Sequence, residues 1–311
     1  MTTPDLSVIV TVVEGGETLA RCLTALTSQE GAAPPEVIVP FDATVAIGDL
    51  PARFPTVRFL ELGALIPEEK PPSSFVQHRL FDRRRARGLH AATGRHIAIV
   101  EDRGAPRSDW AKAMLEEHAA SADAAVGGVV VNVAPGVMER ALFICDFNRY
   151  APPVQEGAVE YITDINICYK REALESLKHL WTDRYEEATI NWALKEAGRG
   201  VRLSSRPVVV HKRSPMPFGQ ILAERVHWGR VFGIMRARRW SVPVAIGAAG
   251  ASIAAPAIVL ARHTAMNRQK GASLGEILAT LPPLLLLLPA WSLGEAYGYI
   301  ERVFQGTEIQ K

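Results

Sequence analysis

The chain has 311 residues, 22% of them charged, and a formal net charge of +2. A nearly neutral chain is not expected to bind nucleic acid through its overall field, and this length favours one large α/β domain with an accessory region. The three cysteines, Cys22, Cys145 and Cys168, have no metal-ligand spacing. An odd number of cysteines without a secretory leader fits a reducing compartment.

The first two-thirds of the chain alternate apolar strands with helical patterns. Residues 6–13 form a continuous β-branched run, which is typical of a central parallel strand, and apolar residues then recur at helical spacing over residues 19–26. Further strands are predicted over residues 36–39, 57–60, 97–100 and 125–131. The alternation predicts an α/β fold with a mixed, mostly parallel sheet flanked by helices.

Two adjacent carboxylates, Glu101 and Asp102, follow the predicted strand at residues 97–100. Ligands of open α/β sheets bind at the carboxyl ends of strands, and Mg²⁺ or Mn²⁺ prefers carboxylate oxygens together with substrate phosphates. The pair is therefore a candidate site for a divalent metal. The alternative is a solvated loop after a buried strand.

A predicted helix over residues 75–92 has a basic middle, with Arg83, Arg84, Arg85 and Arg87. Two interpretations stay open for these arginines. They form a solvated face of the helix, or they contact a diphosphate, since guanidinium groups match phosphate oxygens bidentately.

A second acidic pair, Glu186 and Glu187, opens a predicted helix whose apolar stripe ends at Gly198. The helix dipole favours the ionised carboxylate in a first turn, and a general base must be ionised to accept a proton. Acidic residues in a first helical turn are also common for structural reasons alone.

The order of these motifs resembles the family 2 glycosyltransferases, which have the nucleotide-sugar-binding fold called GT-A (Rossmann-like). Residues 6–10 resemble the first strand of that family, and L-A-R-C-L-T-A-L-T-S-Q (residues 19–29) resembles the helix that follows it. Residues 88–102 resemble the segment that leads to the metal-binding acidic motif, and residues 163–174 resemble the strand and helix entry beside the acceptor site. The resemblance covers roughly the first two-thirds of the chain.

The resemblance implies a nucleotide-sugar site. Asp42 matches an aspartate that holds the base and ribose, although Phe41 replaces the aspartate before it. Glu101 and Asp102 would bind a divalent metal, and Arg103 stands where the family has a further aspartate and would supply part of the positive charge itself. His211 matches a histidine near the metal and the diphosphate.

The resemblance also assigns the catalytic groups. Glu187 matches the catalytic aspartate of the family, and Glu186 matches the acid before it. Asp164 stands where a glycine is common, and it either contacts donor sugar or acceptor or caps a turn.

The C-terminal region has a membrane-like composition. Residues 216–241 are predicted to form an amphipathic helix on an anionic membrane surface, with Arg225 inside its apolar stripe and turned toward the donor diphosphate. Residues 242–261 and 277–294 are long and apolar enough to form a membrane hairpin. A re-entrant hairpin and a buried soluble helix pair are the alternatives. Five arginines over residues 225–239, against three basic residues in the loop at 262–273, predict a cytoplasmic catalytic domain at the cell membrane.

The sequence therefore predicts a glycosyltransferase domain over residues 1–215, the interfacial helix over 216–241 and the membrane hairpin with a short tail over 242–311. The expected activity is inverting transfer of a sugar from a nucleotide-diphosphate donor, with UDP favoured, to a lipid-linked or glycan acceptor near the membrane, as in polysaccharide or glycolipid biosynthesis. The alternative is a non-catalytic GT-A-like scaffold or partner-binding subunit. A nucleotidyltransferase is disfavoured, since no Gly-rich basic loop follows Val13.

Overall fold

The computed structural model describes residues 3–65 and 74–304, so the end of the predicted tail lies outside the described residues. The chain divides into two compact units. The first consists of Met1–Val133 and Tyr150–Lys212, and the second of Ala134–Arg149 and Arg213–Lys311. The division after Lys212 lies near the predicted boundary at residue 215, but the second unit also takes residues 134–149 from the middle of the predicted catalytic domain.

The described part of the first unit contains a nine-stranded sheet in the order β3-β2-β1-β4-β8-β6-β9-β5, with β7 paired to β9. Its strands are β1 (Leu6–Thr11), β2 (Glu36–Phe41), β3 (Arg58–Glu61), β4 (His96–Glu101), β5 (Gly104–Pro106), β6 (Ala125–Asn132), β7 (Gly157–Ala158), β8 (Ile167–Lys170) and β9 (Val201–His211). The central strands β1 and β4 are almost wholly buried, as their continuous apolar runs predict.

The sheet confirms the α/β class and its mixed character, but it is parallel only in part. Strands β1, β2, β3, β4, β6 and β9 run in one direction, whereas β5, β7 and β8 run in the other. The reversed strand β8 lies between β4 and β6 and pairs antiparallel with both. Parallel and antiparallel pairings are therefore equally frequent in the described sheet, so the prediction of a mostly parallel sheet matches only in part.

Among its described residues, the first unit has seven α-helices beside this sheet: α1 (Gly16–Thr27), α2 (Leu50–Arg53), α3 (Ser74–Ala91), α4 (Trp110–Ala120), α6 (Arg171–Glu175), α7 (Lys178–Trp181) and α8 (Glu187–Glu196). The first of them shows why the sequence pattern forms a layer on the sheet. Leu19, Leu23 and Leu26 recur at helical spacing and are fully buried in the core cluster that includes β1 and β4.

The described part of the second unit is helical. It contains α5 (Val137–Phe147), α9 (Phe218–Ala237), α10 (Val242–Ala251), α11 (Ala255–Gln269) and α12 (Leu274–Phe304). The predicted span at residues 242–261 is divided between α10 and α11, which are bent by 66°. In the described part of the chain, α12 is the one single helix that is long and apolar enough to cross a membrane, with a mean hydropathy of 1.7 in its apolar window; α10 and α11 reach that length and hydropathy only when they are taken together as one broken span.

Helix α9 packs against α12 through small residues on both helices. A Cβ on Gly233 would lie 2.4 Å from the carbonyl oxygen of Glu295, and one on Gly294 would lie 1.9 Å from the carbonyl oxygen of Val226. Such contacts allow two helix backbones to approach closely. The predicted interfacial helix is thus one member of a helical bundle.

The arginines of α9, predicted to face anionic lipid, have acidic partners inside this bundle. Arg230 Nε lies 2.6 Å from Glu301 Oε2, and Arg236 Nη1 lies 2.8 Å from Glu295 Oε1. Both glutamates belong to α12. The polar side of α9 therefore contributes to helix pairing within the second unit.

This packing predicts that Gly294→Ala destabilises the second unit although alanine favours helices. The added methyl group has no room against the Val226 backbone, and such overpacking costs about 1–3 kcal/mol. Thermal unfolding followed by circular dichroism in detergent measures the effect. Gly247→Ala in α10 is the matched control, because a Cβ there meets no atom within 4 Å. Equal unfolding temperatures for the two variants would contradict the close packing.

Candidate functional site

Asp42, Glu101 and His211 lie at one edge of the sheet because β2, β4 and β9 run in the same direction. Glu101 ends β4 and is the register partner of Thr11 at the end of β1. Asp42 follows β2, and His211 ends β9. The carboxyl ends of these strands form the edge at which open α/β sheets bind ligands.

Glu101 and His211 are direct neighbours in the structure. The Nε2 atom of His211 lies 3.2 Å from Oε1 of Glu101, and both residues are buried. Burial alone would raise the pKa of Glu101, but the hydrogen bond to His211 and the charge of Arg103 lower it to about 2. Glu101 is therefore a buried carboxylate held in its charged form.

Asp102 has a different environment from Glu101 although the two are adjacent. Its Oδ2 atom accepts hydrogen bonds from the backbone N–H groups of Glu14 (2.9 Å) and Gly15 (2.7 Å), and the residue is completely buried. Gly15 has a φ of +73°, which places its backbone in a conformation that favours glycine. Burial raises the pKa of Asp102 to about 6 despite these hydrogen bonds. Asp102 fixes the loop between β1 and α1.

The three predicted metal ligands Glu101, Asp102 and His211 do not form one ligand set. Glu101 and His211 face each other, whereas Asp102 is bonded to the backbone of the β1–α1 loop. Within residues 3–65 and 74–304, no three His, Cys, Asp or Glu side chains are grouped to hold a metal ion. Arg103, which replaces the expected aspartate, donates from Nε to Glu14 Oε1 at 2.6 Å.

Asp42 is held by an internal ion pair. Arg84 Nη2 donates to its Oδ1 at 2.9 Å, and the backbone N–H and hydroxyl of Thr44 donate to the same atom. Burial raises the pKa of Asp42, but the hydrogen bonds from Thr44 and Arg84 outweigh it and leave the pKa below its ordinary value. Asp42 is 1% exposed, so its carboxylate lies beneath the surface of the edge.

A buried acidic cluster surrounds the guanidinium group of Arg85. Its Nη2 lies 2.5 Å from Asp164 Oδ2, its Nη1 lies 3.3 Å from Asp82 Oδ1, and its Nε donates to the hydroxyl of Thr11 at 2.9 Å. Burial raises the pKa values of Asp82 and Asp164, because one guanidinium group does not compensate for both desolvated carboxylates. Asp164 is thus an ion-pair partner as well as a loop residue.

Glu187 belongs to the same cluster. It is the first residue of α8, and Glu186 before it accepts a hydrogen bond from the hydroxyl of Thr189 at 3.0 Å. Burial and the negative charge of Asp164 raise the pKa of Glu187 above its ordinary value, although Arg85 opposes this change. The helix start was expected to favour the charged form of Glu187, but burial and the negative charge of Asp164 outweigh this effect. A carboxylate with a raised pKa is a stronger base once it is ionised.

Sequence reasoning missed Asp82 and did not decide between the two interpretations of the basic helix. Arg84 and Arg85 are each 3% exposed and ion-paired, whereas Arg87 is exposed. Neither a solvated helix face nor contact with a diphosphate fully describes these two arginines, because both are buried and paired with carboxylates of the chain. A signal was present in the sequence: adjacent arginines point about 100° apart around a helix, so a run of three cannot share one solvated face.

Arg225 lies in the second unit and has a partner there. Both of its terminal nitrogens bond to the carboxylate of Asp146, and the guanidinium group lies over the ring of Trp291. The charge that the sequence placed in an apolar stripe is compensated by this buried ion pair. The prediction that Arg225 turns toward a donor diphosphate therefore gains no support from its contacts.

Comparison with known proteins adds no family assignment. No protein-family model matches this sequence, and no curated protein matches it significantly.

The Glu101–His211 contact predicts a specific pH dependence of stability. The pKa of Glu101 is about 2 in the folded chain and about 4.3 in an unfolded one, so its contribution is present above pH ~4.3 and is lost as the pH falls toward 2. Glu101→Gln should cost on the order of 3 kcal/mol at pH 7 and progressively less in acid. Urea unfolding at pH 7, 4 and 3 measures the difference from wild type. Glu61→Gln, at the exposed end of β3, is the control, and a cost for Glu101→Gln that does not change with pH would refute the assignment.

Proposed function

We propose that the first unit is an inverting glycosyltransferase related to family 2 enzymes with the GT-A fold. It would transfer a sugar from a nucleotide-diphosphate donor, with UDP favoured, to a lipid-linked or glycan acceptor near the membrane. The observation that carries the proposal is the cluster of Asp82, Asp164 and Glu187 around Arg85 at the carboxyl edge of the sheet. A base with a raised pKa at a ligand-binding edge suits proton removal from a hydroxyl group.

Glu187 would act as the general base. Its carboxylate accepts the proton of an acceptor hydroxyl as that oxygen bonds to the anomeric carbon. The bond between this carbon and the donor phosphate breaks on the opposite face, and the nucleoside diphosphate leaves with the electron pair. Asp164 and Glu186 would act through Glu187, because their negative charges raise its proton affinity.

The donor would lie along the edge formed by β1, β2 and β4. Arg103 would place positive charge beside the diphosphate, with His211 nearby, and Asp42 would support the nucleoside from below through Arg84 and Thr44. Such preorganised charge stabilises a departing phosphate. Divalent metal binding is a separate hypothesis in which Glu101 and His211 are the two available ligands; no catalytic step here depends on it.

Membrane attachment at the cytoplasmic side is the third part of the proposal. Helix α12 is apolar enough to enter a bilayer. The five arginines over residues 225–239, next to the apolar residues 242–261, favour a cytoplasmic location for the catalytic unit, because basic residues beside apolar membrane segments are enriched on the cytoplasmic side.

A non-catalytic scaffold is the second candidate, and a specific observation favours it. Asp42 and Asp102 are both buried, and one carboxylate oxygen of each is held by hydrogen bonds within the chain. Incubation of the purified full-length protein with a panel of nucleotide sugars and membrane lipid extract separates the candidates. Release of a nucleoside diphosphate supports the enzyme, whereas no release from any donor supports the scaffold.

The proposed base predicts the effect of Glu187→Gln. The amide cannot accept the proton, so transfer should fall by at least about 10²-fold while donor binding stays within a few-fold of wild type. Steady-state kinetics together with calorimetric donor binding separate these effects. Glu196→Gln, at the other end of α8, should retain activity, and full turnover by Glu187→Gln would exclude the residue as base.

The cluster also predicts a pH profile. Because Asp164 raises the pKa of Glu187, the transfer rate should increase with pH through a range above that of an ordinary glutamate. Asp164→Asn removes a negative charge, so the acid limb of kcat/KM should move to lower pH. An unchanged acid limb in this variant would show that Asp164 does not control the base.

A further inference from the structure

The second unit presents a continuous apolar surface on one side of α12. Every exposed residue of this helix after Glu276 is uncharged. The large ones are Leu278, Leu285, Leu286, Leu293, Tyr297, Ile300 and Phe304, which are 42–83% exposed. The opposite side of the helix is buried, including Leu284, Leu287 and Leu288.

Helices α10 and α11 present a similar surface. From residue 242 to residue 261 the chain carries no charged side chain, and Val244, Ile246, Ile253 and Ile258 are each more than half exposed. We call the exposed apolar residues of 242–261 and 278–304 the apolar surface. Exposed apolar patches of this extent are rare on soluble monomers and mark interaction sites.

The length of α12 and the residues that pack against it argue against a crossing of the bilayer perpendicular to its plane. Helix α12 has 31 residues, so it is about 46 Å long, whereas the hydrocarbon core is about 30 Å thick. If residues 277–294 crossed the bilayer upright, Leu284 and Leu288 would lie near its centre. Both pack with Ile144 of α5 and Ile221 of α9.

Charged residues lie within about one helical turn of those contacts. Asp146 comes two residues after Ile144 and pairs with Arg225, four residues after Ile221. Arg213 pairs with Glu224 in the same region. An upright crossing would therefore place four ionised side chains at the level where charge is most costly in a bilayer.

The basic residues at the end of the apolar surface indicate lipid as its occupant. Arg262 and Arg268 are exposed on α11 directly after its apolar part, and Arg239 is exposed just before α10. Exposed arginines beside an apolar face match anionic headgroups above the acyl chains. A second copy of the chain could bury the apolar surface without any arginines at its border.

We infer that the second unit lies along one leaflet of an anionic membrane, with the apolar surface in the acyl region and without crossing the bilayer. This inference rests on the membrane attachment in the proposed function and is independent of sugar transfer. Both ends of the α10–α11 segment then lie on the same side of the membrane.

Cysteine labelling tests the geometry. Ser241→Cys, Gln269→Cys and Phe304→Cys, each in a Cys145→Ala background, place a thiol at an exposed position before α10, at the end of α11 and at the end of α12; Cys22 and Cys168 are buried. A membrane-impermeant maleimide is added to sealed inside-out membrane vesicles containing the full-length protein. We expect all three thiols to react without permeabilisation. If any of them reacts only after detergent is added, a helix crosses the membrane and the inference is overturned.

Flotation tests the surface itself. The purified chain is mixed with vesicles of phosphatidylcholine and phosphatidylglycerol, and we expect at least a tenfold loss of bound protein for the double variant Leu285→Glu with Leu293→Glu. Both side chains are exposed, so circular dichroism should remain native. Val137→Glu, at an exposed apolar position of α5, is the control and should bind normally. Full binding by the double variant would overturn the inference. If the wild-type protein forms a dimer and does not bind vesicles, the apolar surface belongs to an interface with a second copy, and membrane attachment is also refuted.

Discussion

The buried guanidinium group of Arg85 is the interaction on which the candidate site depends. It joins the end of β1 through Thr11, its own helix through Asp82 and the segment before β8 through Asp164. Without this cation, three or more carboxyl groups would be desolvated together with no compensating charge. The same cation keeps Asp164 close enough to raise the proton affinity of Glu187. One ion-pair network thus organises both the local fold and the proposed base.

The strands were predictable from sequence because each buried strand is a continuous apolar run, as in β1 and β4. Their directions were less predictable. Strand β8 has only four residues, and a short apolar run has the same pattern whether it pairs parallel or antiparallel. The position of Glu101 and His211 at one edge followed from strand order. The hydrogen bonds of Asp102 to the β1–α1 loop did not follow from strand order, because the backbone groups that donate them lie 87 and 88 residues away in the chain.

The second unit shows how composition and packing give different information. Its apolar character was evident from sequence and led to the prediction of a hairpin that enters a membrane. Arg230 and Arg236 of α9 suggested a membrane surface, but Glu301 and Glu295 of α12 are their partners. Glycines spaced four residues apart occur in both helices, at Gly229 and Gly233 and at Gly294 and Gly298. That spacing indicates close helix packing, although it does not identify the partner helix.

The central claim is that the carboxyl edge of the sheet binds a nucleotide diphosphate. One carboxylate oxygen of each of Asp42 and Asp102 is held by hydrogen bonds within the chain, and the described residues form no complete metal ligand set, so Arg103 would supply positive charge for the diphosphate. Isothermal titration of the full-length protein with UDP, in the presence and absence of Mn²⁺, measures this directly. The account predicts saturable binding that Arg103→Gln weakens at least tenfold. No binding with or without the metal would contradict it.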